Sequence, residues 1–234
     1  MRILALITAR GGSKRLPGKN TRLLGGRPLI VWSIEVVKGI SGICDILVST
    51  DDPAIAAIAG EAGALVPWLR PAELATDSAT SVDVCLHALD WYETRNGKVD
   101  GLLLLQPTSP FRRRTTILRG LELYRAHHYC PVLGVSPARS HPMLCLRVEG
   151  ESVRPFIEGG MTLRSQALPP AYVLNGAFYL IAPADLRARQ AFYSNDALPL
   201  VFDTPEESID IDTEWDWKVA ETALQTSGIG SGAR

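Results

Sequence analysis

The first half of the chain alternates short, continuous apolar runs with stretches whose apolar residues recur at helical spacing. Residues 3–7, 43–49 and 102–106 read as strands, the first and last almost wholly apolar. Between them, Ile30, Ile34 and Val37 share one face of a helix over residues 29–37, and Pro53 opens a helix carrying Ile55, Ile58, Ala59 and Ala62. Ser81 stands where a helix cap belongs, ahead of Val82, Cys85, Leu86 and Leu89 at i, i+3, i+4 and i+7 spacing. A further helix carries Ile117, Leu121 and Tyr124. This order predicts an α/β fold with a mostly parallel sheet and helices on both faces. Strands without polar alternation require that cover on both sides.

The rhythm changes after Pro131. Residues 132–136, 144–148 and the Pro169-Pro170 region read as strands and loops without crossover helices. Residues 137 to 174 are expected to leave the sheet as a dimerisation flap inserted in a single domain spanning 1–234. The chain is expected to re-enter at 176–181, form a helix near 183–190 and a strand near 198–202, and close with a helix from Thr213. Glu214 in that first turn suits the helix dipole. The Gly/Ser-rich tail from Ser227 is expected to fray.

Composition removes several classes. The 234 residues suffice for a core of their own, 46% are hydrophobic, and the formal net charge is −1. General nucleic-acid affinity is not indicated, because the basic residues cluster locally rather than spreading over a face. No apolar run reaches the ~20 residues of a membrane span, and the N-terminus carries no secretory pattern. Cys44, Cys85, Cys130 and Cys145 form no C-x-x-C pair and are expected to be reduced core residues of a cytoplasmic protein. The histidines lack metal-site spacing, and no Ser-His-Asp or Cys-His arrangement stands out.

The clearest candidate chemistry follows the first strand. Ala9-Arg10-Gly11-Gly12-Ser13-Lys14-Arg15-Leu16-Pro17-Gly18-Lys19-Asn20 joins three glycines to four cations. Glycines let backbone N–H groups converge, and cations supply the charge-assisted donors that phosphate oxygens require. Five residues separate Gly12 from Gly18 and Asn20 follows Lys19, so this is not the P-loop of ATPases. The dinucleotide fingerprint is absent as well. Three further polar segments fall at predicted strand ends or re-entry points, where α/β sheets bind ligands: Ser49-Thr50-Asp51-Asp52, Gln106-Pro107-Thr108-Ser109-Pro110 and Asn175-Gly176. Asp51 and Asp52 suit helix capping equally well. In Ile209-Asp210-Ile211-Asp212, an extended backbone buries the isoleucines and projects both carboxylates to one side. Magnesium between the carboxylates is one reading. The other has Asp212 or Thr213 capping the last helix and Asp210 exposed. Arg112, Arg113 and Arg114 read as a solvated helix start whose charge opposes the dipole and so hints at an anionic partner.

Taken in order, these segments, with Arg70-Pro71-Ala72-Glu73-Leu74 and Ser208-Ile209-Asp210-Ile211-Asp212-Thr213, resemble one family over almost the whole chain. That family is the acylneuraminate cytidylyltransferases, or CMP-sialic acid synthetases, including CMP-legionaminic acid synthases. The resemblance implies a Rossmann-like, mostly parallel sheet of the nucleotide-diphospho-sugar transferase type with a small protruding dimerisation subdomain. It implies CTP and a nine-carbon 2-keto sugar acid as partners, CMP-sugar and pyrophosphate as products, Mg2+ as cofactor, and a homodimer that engages neither nucleic acid nor membrane. Arg10, Ser13 and Lys19 would then bind the triphosphate, with Lys19 and Arg10 catalytic, Gly11 and Gly12 also in the nucleotide site, and Asn20 near the cytidine end. Arg70 and Ser81 would hold the nucleotide, and Gln106, Asn175 and Tyr179 would face the sugar. Arg164 would reach the sugar carboxylate from the dimer flap, and Asp210 and Asp212 would hold the metal. The chain departs from many sialic acid enzymes at Arg15, where they carry glycine, and at Val173-Leu174, where Arg-Pro is frequent. Sialic, legionaminic, pseudaminic and octulosonic acids therefore stay open as acceptors, and a non-catalytic nucleotide-binding module is the alternative of another class.

Overall fold

Strand β1 (Ile3–Thr8) is buried along five of its six residues because it lies inside a six-stranded sheet. The structure, a computed structural model, describes residues 1–159 and 164–227. A two-residue hairpin, β2 (Leu23–Leu24) with β3 (Arg27–Pro28), leads into α1 (Leu29–Glu35), then β4 (Ile43–Ser49), α2 (Pro53–Glu61), α3 (Ser81–Asn96), β5 (Gly101–Leu105), α4 (Arg114–Ala126) and β6 (Val132–Pro137). Strands β7 (Leu146–Glu149) and β8 (Ser152–Pro155) pair only with each other. Strand β9 (Tyr172–Ile181), α5 (Pro183–Arg189), β10 (Leu198–Val201) and α6 (Glu214–Ser227) complete the chain.

The sheet order is β10-β6-β9-β5-β1-β4. β4 and β5 run parallel to β1, and β10 runs parallel to β6; β9 is antiparallel to both neighbours. The amino-terminal half of β9 thus meets the carboxyl ends of the other strands at one edge. Strand β9 begins at Tyr172, four residues before the expected re-entry, and closes the excursion where the Ala138 N–H meets the Ala171 carbonyl at 2.8 Å. Its register against β6 breaks between Leu133↔Tyr179 and Val135↔Leu174, so residues 175–178 bulge opposite Gly134. Bulges of this kind re-aim backbone beside functional sites.

Apolar packing covers both faces of the sheet. A third apolar cluster matters more for function. Leu16 and Leu24 pack with Trp32, Phe111, Ile209, Ile211 and Trp217, joining the segment after β1 to the segment before α6. Burial of these side chains, each worth roughly 1.5–3 kcal/mol, brings together regions almost 200 residues apart.

Local details correct the sequence reading. Thr80, not Ser81, caps α3, in a capping box with Asp83. Asp52 caps α2, accepting from the Ala54 N–H at 2.7 Å. Arg112 is not solvated: it is 5% exposed and bonded to carbonyls inside the fold. Of the four free cysteines, Cys85 is buried and the others are half-exposed. The expected fraying of the tail beyond Ser227 lies outside the described residues. No described helix is long and apolar enough to cross a membrane.

Candidate active site

Residues 9–20 leave the carboxyl end of β1 and are pinned from several directions. The Ala9 N–H donates to the Ser49 carbonyl at 3.0 Å, and the Gly11 N–H to Asp51 Oδ1 at 3.0 Å. Asp51 therefore braces the loop while Asp52 caps the helix. Gly18 turns the chain at φ 67°, a conformation glycine adopts without strain. Asn20, almost buried, donates from Nδ2 to the Arg10 carbonyl at 3.1 Å.

The late acidic segment arrives through the Ile211 N–H, which donates to the Thr108 carbonyl at 2.8 Å. Ile209 and Ile211 are buried and the carboxylates of Asp210 and Asp212 point away from them, as the alternation predicts. Lys19, only 9% exposed, donates from Nζ to Asp212 Oδ1 at 2.8 Å and to the Ile211 carbonyl at 2.9 Å. Arg15 takes the other oxygen of Asp212 at 2.6 Å. Thr213 caps α6, as one of the two readings had it: its Oγ1 accepts from the Asp216 N–H at 3.2 Å, and the Asp216 carboxylate accepts from the Asp212 and Thr213 N–H groups in return.

Together these elements enclose a cavity of about 470 Å3. Arg10, Ser13, Lys14, Arg15, Lys19 and Asn20 line one side; Gln106, Pro107, Thr108, Asp210 and Asp212 line the other. A second cavity of about 290 Å3 shares Thr8 and Arg10 and is lined by Arg70, Asp77, Thr80 and Ser81. Arg70 is buried there, its Nε 3.0 Å from Ser49 Oγ and Nη2 on the Ser49 carbonyl. That burial lowers its pKa, against the neighbouring Asp51 charge.

Two carboxylates balance the four cations of the loop. Asp212 holds Lys19 and Arg15, while Asp77 holds Lys14 and Arg10, the latter at 2.8 Å. Hydrogen bonds from Lys14 and Arg10 keep the Asp77 carboxyl below its ordinary range. Asp210 has the opposite character. Crowding by protein raises its carboxyl, the Asp212 charge adds to this, and a hydrogen bond with Thr108 and the Lys19 charge work against it. Among the described residues no group of three or more His, Cys, Asp or Glu side chains could hold a metal.

The remaining predicted residues lie further out. Asn175 is almost buried and lines neither cavity; its side chain bonds Ser136 Oγ at 3.1 Å and the Ala177 N–H at 3.0 Å. Tyr179 packs on Phe192 at 5.3 Å, and burial, then the Asp210 charge, pushes its phenol up. Arg164 is exposed on the excursion and outside both cavity linings. Gly11 and Gly12 line neither cavity directly. Thr8 and Asp77 line the cavities without having been singled out as site residues, and Arg112 braces the Gln106 carbonyl from inside the fold. Arg112 carried a signal: a cation at a helix start is unfavourable unless something else holds it.

A cationic cleft at the carboxyl edge of a mostly parallel sheet, facing a pair of aspartates, defines a nucleotide-handling α/β protein. Residues 4–132 match the family model described as cytidylyltransferase. The chain is 40% identical to the CMP-N,N'-diacetyllegionaminic acid synthase of Legionella pneumophila over 96% of this chain and 97% of that protein. It is 32% identical to the N-acylneuraminate cytidylyltransferase of Escherichia coli O18:K1:H7, over 96% of this chain and 52% of that longer protein. A solved CMP:2-keto-3-deoxy-manno-octonic acid synthetase complexed with CTP shares the fold, with TM-score 0.72 and 17% identity over 97% of this chain and all of that one. The chain belongs to the cytidylyltransferase family.

Proposed function

We propose that the protein transfers CMP from CTP to the anomeric oxygen of a nonulosonic, sialic-acid-like sugar acid and releases pyrophosphate. The observation that carries this reading is the Lys19–Asp212 contact, which closes the cationic loop and the aspartate pair around one cavity. The 40% identity to the legionaminate enzyme makes an N,N'-diacetylated acid of that type the first acceptor to test.

The sugar hydroxyl attacks the α-phosphorus as pyrophosphate departs. Such transfers depend chiefly on alignment and on neutralising the charge that builds on the leaving group. Arg10, Lys14 and Lys19 supply that charge once the triphosphate replaces Asp77 and Asp212 as their partner. Arg70 and Ser81, in the adjoining cavity, hold the nucleoside, and Gln106 faces the acceptor. The chemistry of the pair suits magnesium: Asp210 and Asp212 line the same cavity and would hold the ion beside phosphate oxygens once the triphosphate takes Lys19 and Arg15 from Asp212. When bound, the ion supplies Lewis-acid polarisation of phosphate and sugar oxygens.

The same reading pairs two copies through the excursion, in a cytoplasmic homodimer. Strands β7 and β8 are exposed along their whole length, and Val148, Val153 and Phe156 form apolar surface of the kind that marks an interface. Arg164, exposed and outside the lining of its own cleft, then serves the partner's sugar carboxylate. Phe156→Glu should convert the dimer to monomer in sedimentation velocity; a parent that sediments as monomer removes this part.

The decisive assay is pyrophosphate release with CTP and legionaminic, sialic, pseudaminic and octulosonic acids in turn. Release with one of the nine-carbon acids is expected. Release only with the octulosonic acid would replace the acceptor, and tight CTP binding without release from any acid would make the chain a non-catalytic nucleotide-binding module.

A further inference from the structure

The transfer chemistry leaves unused Arg112, an arginine buried against the exit of β5. The three guanidinium nitrogens of Arg112 are all engaged. Nη1 donates to Ser33 Oγ on α1 at 2.9 Å, Nη2 to the Gln106 carbonyl at the exit of β5, and Nε to the Ala177 carbonyl in the β9 bulge. None of these acceptors is charged. Burial pushes the Arg112 pKa down to about 9, with the neighbouring Asp210 charge acting the other way. Only a guanidinium donates in several fixed in-plane directions at once; a lysine ammonium cannot span the same three acceptors.

Of the residues tied by Arg112, Gln106 lines the cavity that the cationic loop also lines. Gly176 stands at φ 70° in the bulge, and a Cβ there would fall 2.5 Å from Gln106 Oε1, so the Gln106 side chain rests against the Gly176 backbone. Ser109 Oγ adds a contact of 3.3 Å to the Asn175 carbonyl.

We propose that Arg112 is a positioning residue for the acceptor: by fixing the Gln106 backbone against the β9 bulge, it aligns the sugar acid with the α-phosphorus and leaves nucleotide binding unaffected. This rests on the reading that the Gln106 side of the cavity takes the sugar acid.

The test uses the full chain with Arg112→Met, Arg112→Lys and Gln106→Ala, alone and combined. CTP affinity is measured by calorimetry, and kcat and KM are measured for each substrate. CTP affinity should stay within about twofold, while kcat/KM for the sugar acid falls about 100-fold, the scale of a misaligned reactant. Arg112→Lys should recover at most about a tenth of the loss. The Arg112→Met/Gln106→Ala double variant should lose no more than the more damaging single variant, because Arg112 acts on the acceptor through the placement of Gln106. Parallel losses toward CTP and sugar acid, or losses that multiply in the double variant, would overturn the proposal. If Arg112→Met does not fold, Ser33→Ala removes one of the three bonds and should cause a weaker loss confined to the sugar acid; an unchanged sugar-acid kcat/KM there overturns it equally. A parent inactive with every acid removes the transfer reading itself. An active parent whose variants lose without selectivity removes only the role of Arg112.

Discussion

Replacing Lys19 with methionine keeps the aliphatic stem and deletes the ammonium, which makes two consequences separable. In the free protein the ammonium meets Asp212 Oδ1 and the Ile211 carbonyl. Its side chain is 11% exposed, but that of Asp212 is 32% exposed and keeps Arg15 as a second partner. The pair therefore falls between an exposed bridge, worth at most ~1 kcal/mol, and a buried one, whose rupture costs ~3–5 kcal/mol. A loss of about 1–2 kcal/mol follows, or roughly 2–8 °C in Tm for a domain of this size. A domain with ~5–15 kcal/mol of stability stays folded. Catalysis suffers more, since removing one preorganised donor to a developing negative charge costs about 100- to 1,000-fold in rate, or ~2.7–4 kcal/mol. The assay is pyrophosphate release at saturating CTP and acceptor, run beside a thermal melt. A Lys19→Met protein that melts as described and turns over within threefold of the parent refutes the role assigned to Lys19.

Asp77→Asn frees Arg10 and Lys14 from their exposed partner. CTP should then bind about two- to fivefold more tightly at low ionic strength, the gain shrinking at 0.5 M salt because screening erases it; calorimetry at both salts checks this. Gly120, buried on α4, abuts the Phe178 ring, and an alanine Cβ would also approach Leu200 Cδ2 to 2.9 Å. Gly120→Ala should destabilise by about 1–3 kcal/mol through overpacking, read as a lower urea midpoint. Burial, with the Asp185 and Asp100 charges, raises the Tyr124 phenol, which donates to the Asp100 carbonyl at 2.8 Å. A raised folded pKa means the contribution is complete below pH 10 and drains as pH climbs past it. Tyr124→Phe should therefore lose Tm less steeply than the parent between pH 10 and 11; equal slopes would contradict the linkage.

Much of this was legible along the chain because it is local. Strands β1 and β5 announce themselves as unbroken apolar runs, and the helix faces by their spacing. The Ile209–Asp212 alternation already separates buried from projecting side chains, since adjacent residues in extended backbone face opposite ways. The cationic glycine loop stands out from composition and position alone. What the linear pattern could not decide is partnership across distance. That Lys19 and Arg15 share Asp212, that Asp77 neutralises Arg10 and Lys14, and that Arg112 lies inside the fold all depend on which loops the apolar cluster of Leu16, Ile211 and Trp217 draws together. Asn175 shows the same limit. Its chemistry suits a ligand, yet the break in β9 pairing turns its amide to Ser136 and the Ala177 N–H. Hydrophobic periodicity specifies which side of an element is buried; the packing of the whole chain specifies what each polar side chain meets there.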